Sequence, residues 1–472
     1  MGKSLLVGFA ALTFCAASFA ETPSNMQVWL KNGEQQVFNI NEVDSVTFGA
    51  VQDVVYKPLS ENTMPPTFSK PNPLTVSAQE QAFVQANNAF AMECYAKIRK
   101  LPVKPESTDP RAIHFFSPVS LNMALGFCAN GASDKGAKEI TDALGFQSKN
   151  ALKEMNDFYQ KVYLSLNSNV DSVDIHTANA LWVQEGAPVY DNFLETARQK
   201  YYATVRHLNF MGNPQGAKDT IDHWAALMTN NRINKLGVDI HDNVVLVLNN
   251  ACYFNANWKV AFQSAGQKDF FGTLGESQQT DFMGISHPKL PYAETDDYQA
   301  IALDYFGGDS ASIDANSTYA YSMVVVLPKE GKNIDEVLPA IQWESIPFQP
   351  QAGDLIMPKF EIKGNYQLVK TLEEFNIEDI FSTYPNAIMS GNGIYPYYIA
   401  QIAQDYFIKV DEKGTEAAAV TSIVGEMKLI SPDPEDRFKM NCNRPFAFAI
   451  RENTTGLLIF VGEYDDVPQL EN

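Results

Sequence analysis

Six histidines, His114, His176, His207, His223, His241 and His287, are the residues from which metal or general-base chemistry would have to be built. None stands in an H-E-x-x-H pair, and neither a G-x-S-x-G nucleophile elbow nor a Walker phosphate loop occurs. The densest polar group, "DIHD" at 239–242, reads as a solvated loop rather than a set of metal ligands. Cys94, Cys128, Cys252 and Cys442 each sit among apolar residues with no C-x-x-C spacing, which predicts free, buried thiols. One disulfide formed after export is the open alternative, and no local signature supports a Cys–His catalytic pair. An enzyme, a metal protein or a cofactor protein therefore has no residues here to rest on.

One stretch carries chemistry of another kind: "VDEKGTEAAAVTSIVGEMKLISPDPEDRF", Val410 to Phe438. From Lys409 to Met427 it can be written as a single extended strand of period two. One face would carry Thr415, Ala417, Ala419, Thr421, Ile423, Gly425 and Met427, with no charge throughout. The other would carry Glu416, Ala418, Val420, Ser422, Val424 and Glu426, so both carboxylates share it. Such a segment can lie in a sheet with one face on a core and the other toward water. Its small residues would let it slide between two existing strands beneath a covering layer. On pattern alone an ordinary Ala-rich edge strand explains it equally well. A lone lysine, Lys428, follows at once.

The elements that must position this segment are legible in outline. With 472 residues, 45% hydrophobic and 19% charged, the chain can bury a large core. Its 56 acidic against 35 basic residues, a formal charge of −21, argue against nucleic acid, which needs clustered Lys and Arg. The N-terminus "MGKSLLVGFAALTFCAASFA" predicts a secretory signal, residues 1–20, cleaved after Ala20. No later apolar run is long enough to span a membrane. Residues 21–50 hold a β-hairpin pattern, Met26 to Phe48, around Asn32-Gly33, and residues 51–76 have the proline content of a linker. The main domain is expected over 77–467, with a tail at 468–472. It should open on a helix capped by Ser77 and Glu80, whose apolar face is Phe83, Phe90, Cys94 and Ile98. Helical periodicity marks 119–145, 191–207 and 215–235. The continuous apolar runs Val244–Leu248, Met323–Leu327, Phe446–Ile450 and Leu457–Val461 read as strands buried on both faces. The fold class is α+β with mostly antiparallel or mixed sheets.

At this point "DEKGTEAAAVT" resembles the hinge of the serpins, the serine protease inhibitors, nearly residue by residue. The blocks "FSPVSLNMALGFCANGA", "TANALWV", "FLETARQKYYATVRHLNF", "DHWAALMTNNRINKL", "LNNACYFNANWKVAF", "SMVVVLPKEG", "LIMPKFEI" and "RPFAFAIRENTTGLLIFVGEY" follow in the family's order, from about Ser77 to Val467. The resemblance implies three β-sheets, eight to nine helices and an exposed reactive-centre loop. It also implies a monomeric, metastable suicide inhibitor that traps a target serine protease as a covalent acyl-enzyme while its loop enters the large sheet. No cofactor is implied, and the signal places the protein outside the cytoplasm, as secreted, periplasmic or cell-surface.

Carried over by position, the hinge is Glu412, Gly414, Thr415, Ala417, Ala418 and Ala419. The family's primary specificity residue commonly lies sixteen positions beyond the hinge Glu, which gives Lys428 and a reactive bond to Leu429. Lys suits a trypsin-like pocket with an aspartate at its base. Arg437 is the other basic candidate, and Val424, Met427 and Leu429 would suit elastase- or subtilisin-like proteases. Ser117, Ser120 and Asn250 match the polar cluster beneath the point where the large sheet opens, and Trp258 the aromatic residue at its top. Gln404 stands where the family usually has His, and Ala256 where it usually has Gly. The alternative is a non-inhibitory member acting as a binding or chaperone-like protein.

Overall fold

The computed structural model describes residues 72–101, 114–168, 173–236, 238–240, 244–273, 277–305, 320–382, 397–399, 401–415 and 437–467, and the backbone of 25–29 and 35–39. The chain divides into two units, residues 1–64 and 65–472. In the first, β1 (Asn25–Trp29) and β2 (Gln35–Asn39) pair antiparallel, Asn25 opposite Asn39 and Trp29 opposite Gln35. Asn32-Gly33 and residues 40–48 lie outside the described residues, as does the signal segment.

In the second unit α1 (Ala78–Ile98) begins with the expected reciprocal cap: Glu80 N donates to Ser77 Oγ at 3.2 Å and Ser77 N to Glu80 Oε2 at 2.7 Å. Its buried face includes Phe83, Phe90, Cys94 and Ile98. Just ahead of it Leu74 is buried and Asn72 N donates to Ser168 Oγ, so the last residues of the proline-rich stretch pack on the domain. After β3 (Phe115–Phe116) comes α2 (Pro118–Ala129), buried at every position. The periodicity over 119–145 breaks in two, because Asn130 ends α2 and Ser133 caps α3 (Asp134–Ala143) by accepting from Gly136 N. Next come α4 (Ala151–Leu166), β4 (Val173–Gln184) and α5 (Asp191–Lys200). The helical pattern expected to reach 207 stops at Lys200. Tyr202 takes φ 49°, the chain reverses, and β-branched Thr204 and Val205 start β5 (Thr204–Leu208), parallel to β4. Similarly α6 (Pro214–Met228) ends before 235, with Asn230 and Asn231 in the left-handed region that Asn tolerates.

The remaining strands and short helices are β6 (Leu246–Asn257), β7 (Gln263–Phe271), β8 (Ser277–Glu294), β9 (Tyr298–Asp304), β10 (Tyr321–Pro328), α7 (Ile334–Val337), β11 (Gln349–Pro358) and β12 (Phe360–Gln367). They continue with α8 (Val369–Glu373), β13 (Ile402–Val410), β14 (Gly414–Thr415), β15 (Phe438–Asn441), β16 (Phe446–Glu452) and β17 (Leu458–Tyr464). Eight α-helices thus stand among the described residues. The strands form a nine-stranded network and a six-stranded sheet ordered β12-β13-β14-β6-β4-β5. In the first, β8 pairs in succession with β7, β11 and β9, so one long strand ties together what would otherwise be two sheets. The apolar runs do become doubly covered strands: β10 and β17 are buried throughout. Val244, Val245 and Leu457 stay outside their strands, since β6 begins at Leu246 and β17 at Leu458. α2 packs against β17 on one side and β6 on the other, and so lies behind the place where the six-stranded sheet is interrupted.

Candidate functional site: a parted sheet and its hinge

β6 and β13 run parallel, and at one end they pair directly: Leu248 with Ile402, Asn249 with Ala403, Asn250 with Gln404. At the other end they do not meet. Thr415 lies between them, paired antiparallel with Val410 on one side and Ala256 on the other, and Gly414 pairs with Asn257. Between these ends residues 251–255 and 405–409 share no ladder with each other among the described residues. Among the described residues the sheet is parted, and Gly414 and Thr415 stand at the top of the parting.

Local chemistry explains why the wedge holds. A Cβ on Gly414 would fall 2.0 Å from Ala256 O, so only glycine lets the backbone come this close. Thr415 is completely buried, its Oγ1 2.7 Å from Tyr305 OH. The Tyr305 ring stacks on Trp258 at 4.6 Å between centroids, and Trp258 in turn grips the hinge backbone twice. Its backbone N donates to Lys413 O and its Nε1 to Asp411 O, each at 2.8 Å. Phe262 N donates to Glu412 O, and Lys359 Nζ lies 3.2 Å from the Glu412 carboxylate. Trp258 thus sits at the hinge end of the parting. Ala256 is an ordinary buried strand residue opposite Val173, so the missing glycine creates no irregular turn.

The polar cluster lies at the closed end. Gln404 takes both of its amide roles on Ser117: Ser117 N donates to Oε1 at 2.9 Å and Nε2 donates to Ser117 O at 3.0 Å. Ser117 Oγ donates to Ile459 O, and Asn250 Nδ2 to Asn179 Oδ1. Ser120, one turn further along α2, is fully buried. Its Oγ and Asn250 Oδ1 find no partner among the described residues, an unusual position for buried polar atoms. Ser117, Gln404 and Asn250 are brought together by bonding and register, whereas Trp258 belongs to the opposite end. Tyr305, Lys359 and Asn179 complete these contacts. Nothing local in the sequence points to them, since each reaches its partner from a distant strand or loop. Ala417, Ala418, Ala419, Lys428 and Leu429 lie outside the described residues. Arg437 is committed elsewhere: its Nη2 donates to Ser286 Oγ, Gly353 O and Asp354 Oδ1. Burial pushes the Asp354 carboxyl up, but the bonds from Arg437 and Ser286 outweigh it and hold the group below its usual range.

The four cysteines are free and buried, and burial pushes the Cys128, Cys252 and Cys442 thiols up to about 12, which leaves them protonated and inert. No cluster of three or more His, Cys, Asp or Glu suited to a metal occurs among the described residues. His241 of "DIHD" lies outside them.

With glutamine at 404, the histidine that titrates behind the sheet is His114, immediately before β3. Its Nδ1 is 2.8 Å from Tyr366 OH, and burial, aided by Arg99, pushes it down to about 4. The folded pKa lies below the unfolded one, so this neutral imidazole's contribution is full above about pH 6.5 and is lost as pH falls toward 4. The loss should be on the order of 3 kcal/mol. Denaturant midpoints of the protein and a His114→Gln variant, compared between pH 7 and 4, check this: the variant should lose less. Parallel curves would contradict it.

The class of fold is α+β, with β6 and β13 paired at one end and Thr415 between them at the other. The family profile described as serpin (serine protease inhibitor) matches residues 85–467, and the chain belongs to the serpin family. It is 30% identical to an uncharacterized serpin-like protein of Methanosarcina acetivorans over 82% of this chain and 89% of that one. To Iripin-3 of Ixodes ricinus it is 30% identical over 78% and 91%. The fold is similar to native tengpin, a thermophilic serpin, with TM-score 0.69, 24% identity and coverage of 85% and 97%. It is also similar to thyroxine-binding globulin in complex with thyroxine, with TM-score 0.68, 24% identity and coverage of 83% and 100%. The family is one of protease inhibitors rather than enzymes. No helix among the described residues is long and apolar enough to cross a membrane.

Proposed function

We propose that this serpin is inhibitory, trapping extracytoplasmic trypsin-like serine proteases that attack the Lys428–Leu429 bond, and that it acts as a monomer exported by residues 1–20. The observation that supports this most is Thr415 paired on both edges, with Val410 and with Ala256. Continued antiparallel, that register sets Ala417 opposite Ile408 and Phe254, Ala419 opposite Tyr406 and Cys252, and Thr421 opposite Gln404 and Asn250. Every one of these falls on the face that Thr415 turns to the core. Glu416 falls on the outer face beside Lys409, where its charge stays in water. The small, uncharged face is therefore the one that would go inward. Arg437, bonded to Asp354 and at the base of β15, is a strand anchor, which leaves Lys428 as the basic residue offered to a protease.

The target's own serine supplies the nucleophile. After acylation the loop enters between β6 and β13, carrying the tethered protease away before water completes hydrolysis. Mixing the full chain with trypsin tests the reading, and an adduct resistant to denaturant is expected. Clean cleavage without adduct would sink it in favour of a binding or scaffold role. Lys428→Ala should lower the rate of trypsin adduct formation on the order of 10⁴-fold, since the pocket's buried aspartate then lacks its partner. Unchanged trapping would move the reactive bond elsewhere.

A further inference from the structure

Against Trp258, which bonds the hinge backbone, lies a cavity of about 140 Å³. Trp258, Phe262, Ile285, Leu290 and Leu303 give it apolar walls, all of them buried residues. Its rim carries Lys259, Asp304, His287 and Lys289. Lys259 lies 3.6 Å from Asp304, but Lys289 is exposed and meets no carboxylate among the described residues. His287 uses Nδ1 on the backbone of Lys289, which holds the imidazole at the same edge. In a chain of net charge −21, Lys289 over an apolar floor offers an anion a cation that no carboxylate among the described residues engages. A cavity of roughly 150 Å³ with apolar lining accepts one benzene-sized ring. The geometry points to a binding site for a small monocarboxylate with a single aromatic ring, its ring against Trp258 and Leu290 and its carboxylate at Lys289 and His287.

The wall of this cavity is also the support of the hinge. Trp258 lines it, donates to Lys413 O and Asp411 O, and stacks on the Tyr305 ring that holds Thr415. A ligand that fills the cavity only while Trp258 is so placed favours that state by mass action. Occupancy therefore holds the hinge at Thr415 and slows further insertion. This second step rests on the trapping reading above, whereas binding itself does not.

Titration of the full chain with phenylacetate, followed by tryptophan emission and thermal shift, tests both steps, with phenylacetamide as the neutral comparator. Saturation at millimolar phenylacetate is expected. Lys289→Glu, on an exposed side chain, should weaken phenylacetate roughly tenfold, by loss of one ion pair and gain of one repulsion, and leave phenylacetamide unchanged. Ala302→Leu, which fills the cavity from β9, should weaken both. No saturable change at millimolar ligand, or equal phenylacetate affinity in the protein and the Lys289→Glu variant, overturns the site. With the site filled, trypsin adduct formation should slow severalfold, and binding without any slowing overturns the coupling. If trypsin merely cleaves the chain with and without ligand, the trapping reading fails while the binding result stands.

Discussion

Thr415→Arg is expected to turn the inhibitor into a substrate: trypsin cuts the loop, leaves, and no adduct survives denaturation. Thr415 is the first hinge residue with a ladder on both sides and has no exposed surface. Its hydroxyl meets Tyr305 OH, and the Tyr305 ring packs between Trp258 at 4.6 Å and Phe254 at 4.9 Å. A guanidinium placed there would be a buried charge with no anion, at a cost of about 3–5 kcal/mol. Trapping is a race between insertion and hydrolysis of the acyl-enzyme. At 1.4 kcal/mol per factor of ten, insertion should slow by roughly 10²- to 4 × 10³-fold. Thr415→Ser keeps the hydroxyl and should keep the adduct. Glu416→Arg puts the same new charge on the outer face and should also trap. The ratio of adduct to cleaved chain on a denaturing gel reads all three. If the Arg variant at 415 traps as well as the unaltered protein, the inward assignment of that face is wrong.

Strand alternation is local, so the burial of Thr415, the member of that face among the described residues, could be read from the sequence. The Ser77–Glu80 cap and the buried runs of β10 and β17 were legible for the same reason, since each is decided by residues a few positions apart. The boundary at Lys200 was not, because the apolar spacing continues smoothly into β5 and only the left-handed turn at Tyr202 and pairing with β4 convert helix to strand. The hinge was half legible. Gly414 follows from the motif, but its reason, a backbone 2.0 Å from any added Cβ, exists only once Ala256 arrives from β6. Gln404 shows the same limit. Its type announced a donor and an acceptor, yet that both would close on the Ser117 backbone depends on α2 standing behind the sheet. Tyr305 and Lys359, which hold Thr415 and Glu412, are separated from them by so much chain that no spacing could have nominated them.

A single cut near Lys428 should raise the thermal midpoint by about 10 °C or more, although it removes a covalent bond. Among the described residues of the intact chain the ladder between β6 and β13 is missing over 251–255 and 405–409, and Thr415 bridges the two strands. Once freed at its far end, a segment of about a dozen residues can fill that parting, with on the order of 20 new ladder bonds at about 0.5–1.5 kcal/mol each. The lower bound, on the order of 10 kcal/mol, corresponds to about 10 °C for a chain of this size. Asn250, whose buried Oδ1 finds no partner among the described residues, stands opposite Thr421 in the continued register, so insertion should also satisfy that atom. Scanning calorimetry before and after limited trypsin treatment reads the shift, and mass spectrometry of the released C-terminal piece locates the cut. A nicked protein that melts where the intact one does would mean that the parted sheet is already at its lowest state, with nothing left to drive a protease out of shape.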